Sequence, residues 1–161
     1  MIIPMQPTRD FQVIIGTPFG VLGIRCADNM LTNIEFLAPN TTMKNPLNQF
    51  AQSVCQQLSA YFNDPDFNFN LPLKLSGTPH QRKVWQAMCA IPRGQTRQYG
   101  ELARELSSSP RAVGQACGAN PIPIVIPCHR IVSKTGMGGF AHNIDGYEME
   151  IKRWLLSHEQ R

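Results

Sequence analysis

Apolar and polar positions along the first third of the chain follow the pattern of β-strands. Three runs rich in β-branched and aromatic residues, Phe11–Gly16, Gly20–Arg25 and Met30–Phe36, are separated by short turn-forming pairs. Closely spaced runs of this kind are typical of an antiparallel β-meander. We therefore expect a small three-stranded sheet in this part of the chain.

A helical spacing of apolar residues replaces this pattern after the third run. Asn45 is suited to cap a helix and Pro46 to occupy its first position. Apolar residues then recur every three or four positions as far as Asp64, where the pattern stops. A stretch rich in proline and asparagine follows. We expect it to join two domains, residues 1–75 and residues 76–161.

Helical patterns separated by helix breakers fill the second domain. Thr78 and Ser109 are each followed by proline, as at the start of many helices. A shorter apolar stripe begins at Tyr99, and a final one lies near Glu148–His158. Two short helices joined by a tight polar break give the outline of a helix-turn-helix. The predicted fold class is α+β, with a small β-meander and helix followed by a mostly helical lobe that carries a winged helix-turn-helix-like element.

One helix of the second domain contains small residues where larger ones would be more stable. The segment "RAVGQACGAN" (Arg111–Asn120) places Gly114 inside the helix, at a cost of about 1 kcal/mol relative to alanine. Close packing against a neighbouring helix explains such a glycine, and so does close approach of a nucleic-acid backbone. On the sequence alone, packing is the simpler explanation.

Charge is distributed unevenly between the two domains. Residues 76–161 contain 11 of the 15 basic residues and 6 of the 11 acidic residues, although the net charge of the chain is only +4. A basic domain is expected of a protein with a polyanionic partner. A surface charge that serves solubility explains the same asymmetry.

The five cysteines do not form a disulfide or metal-binding pattern. Their number is odd, their spacings are wide and no C-x-x-C motif occurs, which argues against a disulfide framework and a zinc ribbon. No apolar run approaches the roughly 20 residues that span a bilayer, and a secretory signal is not apparent. We expect free thiols, no metal, no membrane association and a cytoplasmic location.

A thiol at the end of an apolar run is the main candidate for chemistry. In "IPCHRIVSKTG" (Ile126–Gly136), Cys128 is followed by His129 and Arg130. A thiol with an ordinary pKa of about 8.5 is largely protonated at pH 7, and burial raises the pKa further. Contact with the neighbouring imidazole requires a turn or a bridging water, because adjacent residues of an extended segment point to opposite sides. Glu159 is a candidate partner for the other ring nitrogen. An inert buried cysteine is the alternative interpretation.

The wider surroundings of this thiol resemble a known family. The motif "NPIPIVIPCHRIV", with Arg111 nine residues before its asparagine and "WLLSHE" much later, is similar to the O-6-methylguanine-DNA methyltransferase family. The likeness extends over about Thr78–Glu159. Its combination of Pro-Cys-His-Arg, Asn-Pro-x-Pro and an arginine-led helix of small residues is specific.

The resemblance implies a mechanism and a partner. The helix-turn-helix would bind double-stranded DNA containing O-6-alkylguanine from the minor groove, as a monomer and without a cofactor. The damaged base would be flipped into a pocket of the second domain. A cysteine thiolate would then take the alkyl group once and irreversibly. O-4-alkylthymine stays open as a second substrate.

The resemblance also implies roles for individual residues. Cys128 would accept the alkyl group, with His129 as its base and Glu159 orienting the imidazole. Asn120 would hold the turn before the thiol, and Tyr99 would help to rotate the nucleotide and donate a proton to the leaving guanine. The residues implied as DNA contacts are Arg111 (which fills the gap left by the flipped base), Ala112, Gly114, Gln115, Tyr99 and Arg130, and those implied as pocket walls are Pro123, Phe140 and Ala141.

One loop departs from the family pattern. The family has a tyrosine, a small residue and two glycines after Pro-Cys-His-Arg, whereas this chain has Phe140, Ala141, His142 and Asn143. The segment before Trp154 is also longer than in the family. Phe140 is still able to form an apolar wall of the pocket. We expect the loss of the glycine pair to affect which alkyl groups are accepted, or how fast.

Two other functions stay open at this point. A non-catalytic sensor of alkylated bases would recruit other repair proteins, but proteins of that kind replace the acceptor cysteine that is present here as Cys128. A thiol hydrolase would use Cys128 and His129 as a dyad, yet no catalytic Asn or Asp partner stands out around the thiol. Stoichiometry separates the classes, since a repair protein of this type reacts once and a hydrolase many times.

Overall fold

The computed structural model describes residues 10–139 and 146–161. The chain divides into two compact units, Met1–Lys74 and Leu75–Arg161. The first unit is a small sheet with one helix, and the second is mostly helical. This arrangement confirms the predicted α+β class.

The sheet of the first unit consists of strands β1 (Val13–Thr17), β2 (Gly20–Ala27) and β3 (Met30–Leu37). They pair antiparallel in the order β1-β2-β3, as expected for a meander. A tight turn joins β2 to β3, with Asp28 and Asn29 at positive φ angles of 53° and 56°. Short polar residues tolerate this left-handed conformation better than most others.

Helix α1 (Gln49–Asn63) begins later than we predicted. Its cap is Asn48, whose side chain accepts a hydrogen bond from the backbone N–H of Ala51 at 2.8 Å. The prediction of Asn45 as the cap is wrong because the chain there still pairs with the sheet. The backbone of Lys44 bonds with that of Ile14 in both directions. Local capping signals do not reveal such a pairing with a distant strand.

The second unit contains helices α2 (Pro79–Cys89), α3 (Tyr99–Glu105), α4 (Pro110–Gly118) and α5 (Tyr147–His158). Strand β4 (Arg97–Gln98) pairs in parallel with β5 (Ile131–Val132), and the residues Cys128–Arg130 form a 3-10 turn. The predicted caps of α2 and α4 are confirmed. Thr78 forms a capping box with Gln81, and Ser109 accepts a hydrogen bond from the backbone N–H of Ala112.

Trp85 fixes the position of α4 within this unit. Its side chain is almost fully buried, and its indole N–H donates to the carbonyl oxygen of Ala116 at 2.8 Å. Because this carbonyl lies in the last turn of α4, it has no partner within the helix. Trp85 therefore ties α2 to the end of α4 that leads towards Cys128. Within the described residues we find no helix whose length and hydropathy suit it to cross a bilayer.

Candidate active site and nucleic-acid interface

Asn120 stabilises the irregular segment that connects α4 to the thiol. Its side-chain oxygen accepts from the backbone N–H of Ile122 at 3.0 Å, and its amide nitrogen donates to the carbonyl oxygen of Ile126 at 2.9 Å. The same carbonyl accepts from the backbone N–H of Cys128 at 2.8 Å. Between these anchors, buried Ile124 has a φ of +76°, a costly conformation for a β-branched residue. The amide of Asn120 thus holds a strained segment in a single shape.

Cys128 is the first residue of the 3-10 turn, and its exposed fraction is only 6%. Burial raises the pKa of its thiol to about 11, although a hydrogen bond from Asn120 and the charge of Lys152 act in the opposite direction. The thiol is therefore protonated at neutral pH. Reaction at this sulfur requires a group that takes up its proton.

His129 is suited to take up that proton. The ring is completely buried, and Nε2 lies 2.9 Å from Oε2 of Glu159. Burial lowers the pKa of the imidazole despite the opposing effect of the carboxylate, so the ring is neutral at pH 7. With the Nε2 proton donated to the carboxylate, Nδ1 is the acceptor nitrogen. This Nδ1 atom has no hydrogen-bond partner among the described residues.

Arg130 has a different environment from the DNA contact implied by the resemblance. Its Nε and Nη2 atoms donate to the two carboxylate oxygens of Glu159 at 3.0 and 2.8 Å, and Nη1 donates to the carbonyl oxygen of Ile91 at 2.6 Å. The buried carboxylate is thus compensated by a bidentate guanidinium. We therefore assign Arg130 to the support of Glu159.

Lys152 is a buried residue that our sequence analysis missed. Its ammonium group donates to the carbonyl oxygens of Ile131, Met137 and Gly139, at 2.8, 2.5 and 2.9 Å. Burial lowers its pKa to about 8, and the nearby Cys128 acts against this shift. A lysine in the apolar stripe of α5, three residues before Leu155, was the signal available in the sequence.

Tyr99 lies at the start of α3 and contacts the segment after β5. A Cβ atom added to Gly138, whose φ is +72°, would lie 2.8 Å from the tyrosine ring. The hydroxyl group is 3.5 Å from the carbonyl oxygen of Gly139. Burial raises the pKa of Tyr99 to about 12. The phenol is therefore protonated at neutral pH and is able to donate a proton.

Helix α4 presents small and polar residues on its outer side. Arg111 and Gln115 are exposed, and Ala112 and Gly114 are partly exposed. Val113 on the opposite side of the helix is buried. Among the described residues, a Cβ atom added to Gly114 would meet only the ring of Tyr99, at an ordinary contact distance of 3.9 Å. Packing against this part of the chain therefore does not require the glycine, contrary to our expectation from the sequence.

The pocket walls implied by the resemblance are described only in part. Pro123 is buried in the segment held by Asn120. Phe140 and Ala141 lie outside the described residues. No cluster of three or more histidine, cysteine, aspartate or glutamate side chains suited to a metal ion occurs in residues 10–139 and 146–161.

Comparison with known families identifies both units. Residues 79–161 match the "6-O-methylguanine DNA methyltransferase, DNA binding domain" family, and residues 13–75 match the "6-O-methylguanine DNA methyltransferase, ribonuclease-like domain" family. The chain belongs to the O-6-methylguanine-DNA methyltransferase family. The resemblance found in the sequence is thereby confirmed.

Relatives of this methyltransferase family align along most of the chain. A probable methylated-DNA–protein-cysteine methyltransferase of Acanthamoeba polyphaga mimivirus is 38% identical and covers 92% of this chain and 95% of its own. The corresponding protein of Mycolicibacterium paratuberculosis is 38% identical, with 91% and 90% covered. Among solved structures, Mycobacterium tuberculosis O-6-methylguanine methyltransferase gives a TM-score of 0.76 at 36% identity, with 91% and 90% covered. A second structure of the mycobacterial protein, in complex with DNA, gives 0.77 at 35% identity, with 91% of each chain covered.

Proposed function

We propose that the protein repairs DNA by direct reversal, transferring the alkyl group of O-6-alkylguanine in double-stranded DNA to Cys128. The transfer is irreversible, and each molecule reacts once. The protein acts as a monomer in the cytoplasm, needs no cofactor, and reaches the base from the minor groove through α4. Alkyl transfer and DNA binding are supported by its family membership and by the mycobacterial relative whose structure contains DNA. The monomeric state, the location, the lack of a cofactor and the choice of groove follow from the resemblance described in the sequence analysis.

The buried arrangement of Cys128, His129 and Glu159 carries this proposal. A thiol with a pKa of about 11 precedes a neutral imidazole whose far nitrogen is fixed by a carboxylate 2.9 Å away. Such an arrangement favours proton removal at the moment of attack over a permanently ionised sulfur. A non-catalytic sensor has no need of an acceptor thiol backed by a base, so this alternative is disfavoured.

The proposed reaction conserves its protons and electrons. The thiol proton of Cys128 passes through a water molecule to Nδ1 of His129, and the sulfur lone pair forms a bond to the alkyl carbon. The carbon–oxygen bond at O-6 breaks, and its electron pair stays with the guanine. The hydroxyl of Tyr99 supplies a proton to the leaving base, which avoids a free guanine anion. The products are a thioether, an unmodified guanine, an imidazolium at His129 and a phenolate at Tyr99, and return of the proton from His129 to Tyr99 through water restores both side chains.

Contacts with DNA are assigned to the outer side of α4. Arg111 fills the gap in the base stack, since extrusion of a base costs a few kcal/mol and an inserted side chain recovers part of it. Ala112, Gly114 and Gln115 lie against the minor groove. We assign Pro123 to the pocket for the flipped base, and the family resemblance implies the same role for Phe140 and Ala141.

Mass spectrometry after incubation with a duplex that contains one O-6-methylguanine tests this function. We expect one added methyl group per protein molecule, located on Cys128 by peptide analysis. An unmodified duplex of the same sequence is the control and should give no adduct. Repeated turnover, or lesion binding without any adduct, would contradict the proposal.

A further inference from the structure

The segment Ile91–Gly94, between α2 and β4, contacts Glu159 and the residues that follow it. Arg93 donates from Nη1 to the backbone carbonyl oxygens of Glu159 at 2.8 Å and Arg161 at 3.2 Å. The side-chain amide of Gln160 donates to the carbonyl oxygen of Gly94 at 2.9 Å. The segment and the residues that follow α5 are thus linked in both directions.

The position of Glu159 in the chain makes these contacts consequential. The residue caps the C-terminal end of α5, with its own N–H bonded to the carbonyl oxygen of Leu155 at 3.0 Å. Carbonyl groups at the end of a helix have no partner within it, and a cation is favoured there by the helix dipole. Arg93 meets both needs, because its guanidinium holds the Glu159 carbonyl that the helix leaves open.

Glycine at position 94 allows the segment to come this close. Gly94 has a φ of +81°, and a Cβ atom added to it would lie 3.2 Å from the Glu159 carbonyl oxygen. The third contact is through Arg130, which reaches from the Glu159 carboxylate to the carbonyl oxygen of Ile91 at 2.6 Å. The segment therefore holds the backbone of Glu159 directly through Arg93, and it supports the Glu159 carboxylate indirectly through Arg130.

From these contacts we infer that Arg93 is a positioning residue for the transfer reaction: it fixes the backbone of Glu159, and through it the carboxylate that orients His129. This inference rests on the proposed function. It goes beyond that function, because it assigns a role to a residue whose contacts described above are with the backbone of Glu159 and Arg161. We expect its effect on the reaction to be exerted through Glu159.

Single-turnover kinetics with the methylated duplex test the inference. We expect R93A to lower the rate of methyl transfer to Cys128 about tenfold, since small displacements of a catalytic group have effects of up to about a hundredfold. Affinity for the duplex should stay unchanged, and R93K should recover most of the rate. R153A, which removes an exposed arginine from α5 itself, is the matched control and should behave like the wild type.

A double-mutant cycle separates positioning from a general effect on structure. In E159D the carboxylate is already displaced, so adding R93A should change the rate by less than about twofold, whereas independent effects would multiply. A wild-type rate for R93A, or multiplication of the two effects, would overturn the inference. If R93A does not fold, R93Q is measured in the same cycle. Failure of the wild type itself to accept a methyl group would refute the proposed function instead.

Discussion

Substitution of Gly114 by alanine separates the two explanations for a glycine inside α4. Within residues 10–139 and 146–161, the added methyl group would meet only the Tyr99 ring, at 3.9 Å, so these residues leave room for it. Alanine is favoured over glycine in a helix by about 1 kcal/mol. We therefore expect G114A to be more stable than the wild type by about 0.5–1 kcal/mol, which raises the melting temperature by roughly 1–4 °C in a chain of this size.

The same methyl group should weaken DNA binding if α4 lies against the minor groove. A loss of about 1.4 kcal/mol corresponds to a tenfold increase in the dissociation constant, and we expect at least this from a methyl group forced between helix and sugar-phosphate backbone. Fluorescence anisotropy with the lesion duplex measures the affinity, and thermal unfolding measures the stability. Opposite changes in the two quantities are the expected result.

Gly100 provides a matched control within α3. In the described part of the chain, a Cβ atom there would meet only Nη1 of Arg104, at 4.0 Å, so G100A adds the same methyl group without a clash with these residues. Its affinity for the duplex should match that of the wild type. The reasoning is refuted if G114A is less stable than the wild type, because packing would then require the glycine. It is refuted equally if G114A binds the lesion duplex with unchanged affinity.

Four further predictions concern the chemistry of the site. C128S should bind the lesion duplex but gain no methyl group in intact-mass measurements, and any adduct would disprove Cys128 as the acceptor. Y99F should slow single-turnover transfer about a hundredfold, the lower range for a lost proton donor; an unchanged rate would exclude that role. Because burial holds the pKa of His129 below 6.5, the transfer rate should stay level from pH 8 to pH 6.5 and fall only at lower pH, whereas a fall beginning above pH 7 would contradict a neutral base. K152M should slow the alkylation of Cys128 by iodoacetamide at pH 7, because the Lys152 cation lowers the pKa of the thiol. Peptide mass spectrometry measures this alkylation. The difference should shrink above pH 9, where Lys152, with a pKa of about 8, is neutral in the wild type as well; a constant difference would point to a structural effect.

Features encoded by neighbouring residues could be predicted from the sequence. Thr78 and Ser109 cap their helices as expected, because each cap is satisfied within three residues along the chain. The prediction of Asn45 as a helix cap is wrong because a contact with a distant residue decides the structure there. The neighbouring Lys44 pairs with Ile14 of β1, and this contact across the sheet overrides a good local cap.

The same distinction between local features and contacts of distant residues applies to the candidate site. The buried thiol and its raised pKa follow from an apolar run that ends at Cys128, and reasoning from the residues alone reached both. The contact between His129 and Glu159 joins residues 30 positions apart, so reasoning from the residues could offer Glu159 only as a candidate, and the family resemblance gave it a role. The position of Lys152 in the apolar stripe of α5 indicated its burial, but its partners are backbone carbonyl oxygens, which no residue type in the sequence identifies.

Burial of the thiol has a particular value for a protein that reacts only once. With a pKa of about 11, roughly one Cys128 thiol in ten thousand is ionised at pH 7, so electrophiles in solution meet an almost unreactive group. A permanently ionised sulfur would be consumed by such encounters before it met DNA. In the proposed mechanism, a neutral His129, fixed by Glu159, instead accepts the proton as the new sulfur–carbon bond forms. Reactivity then depends on a substrate held against the sulfur, and the low resting reactivity of the thiol becomes part of its selectivity.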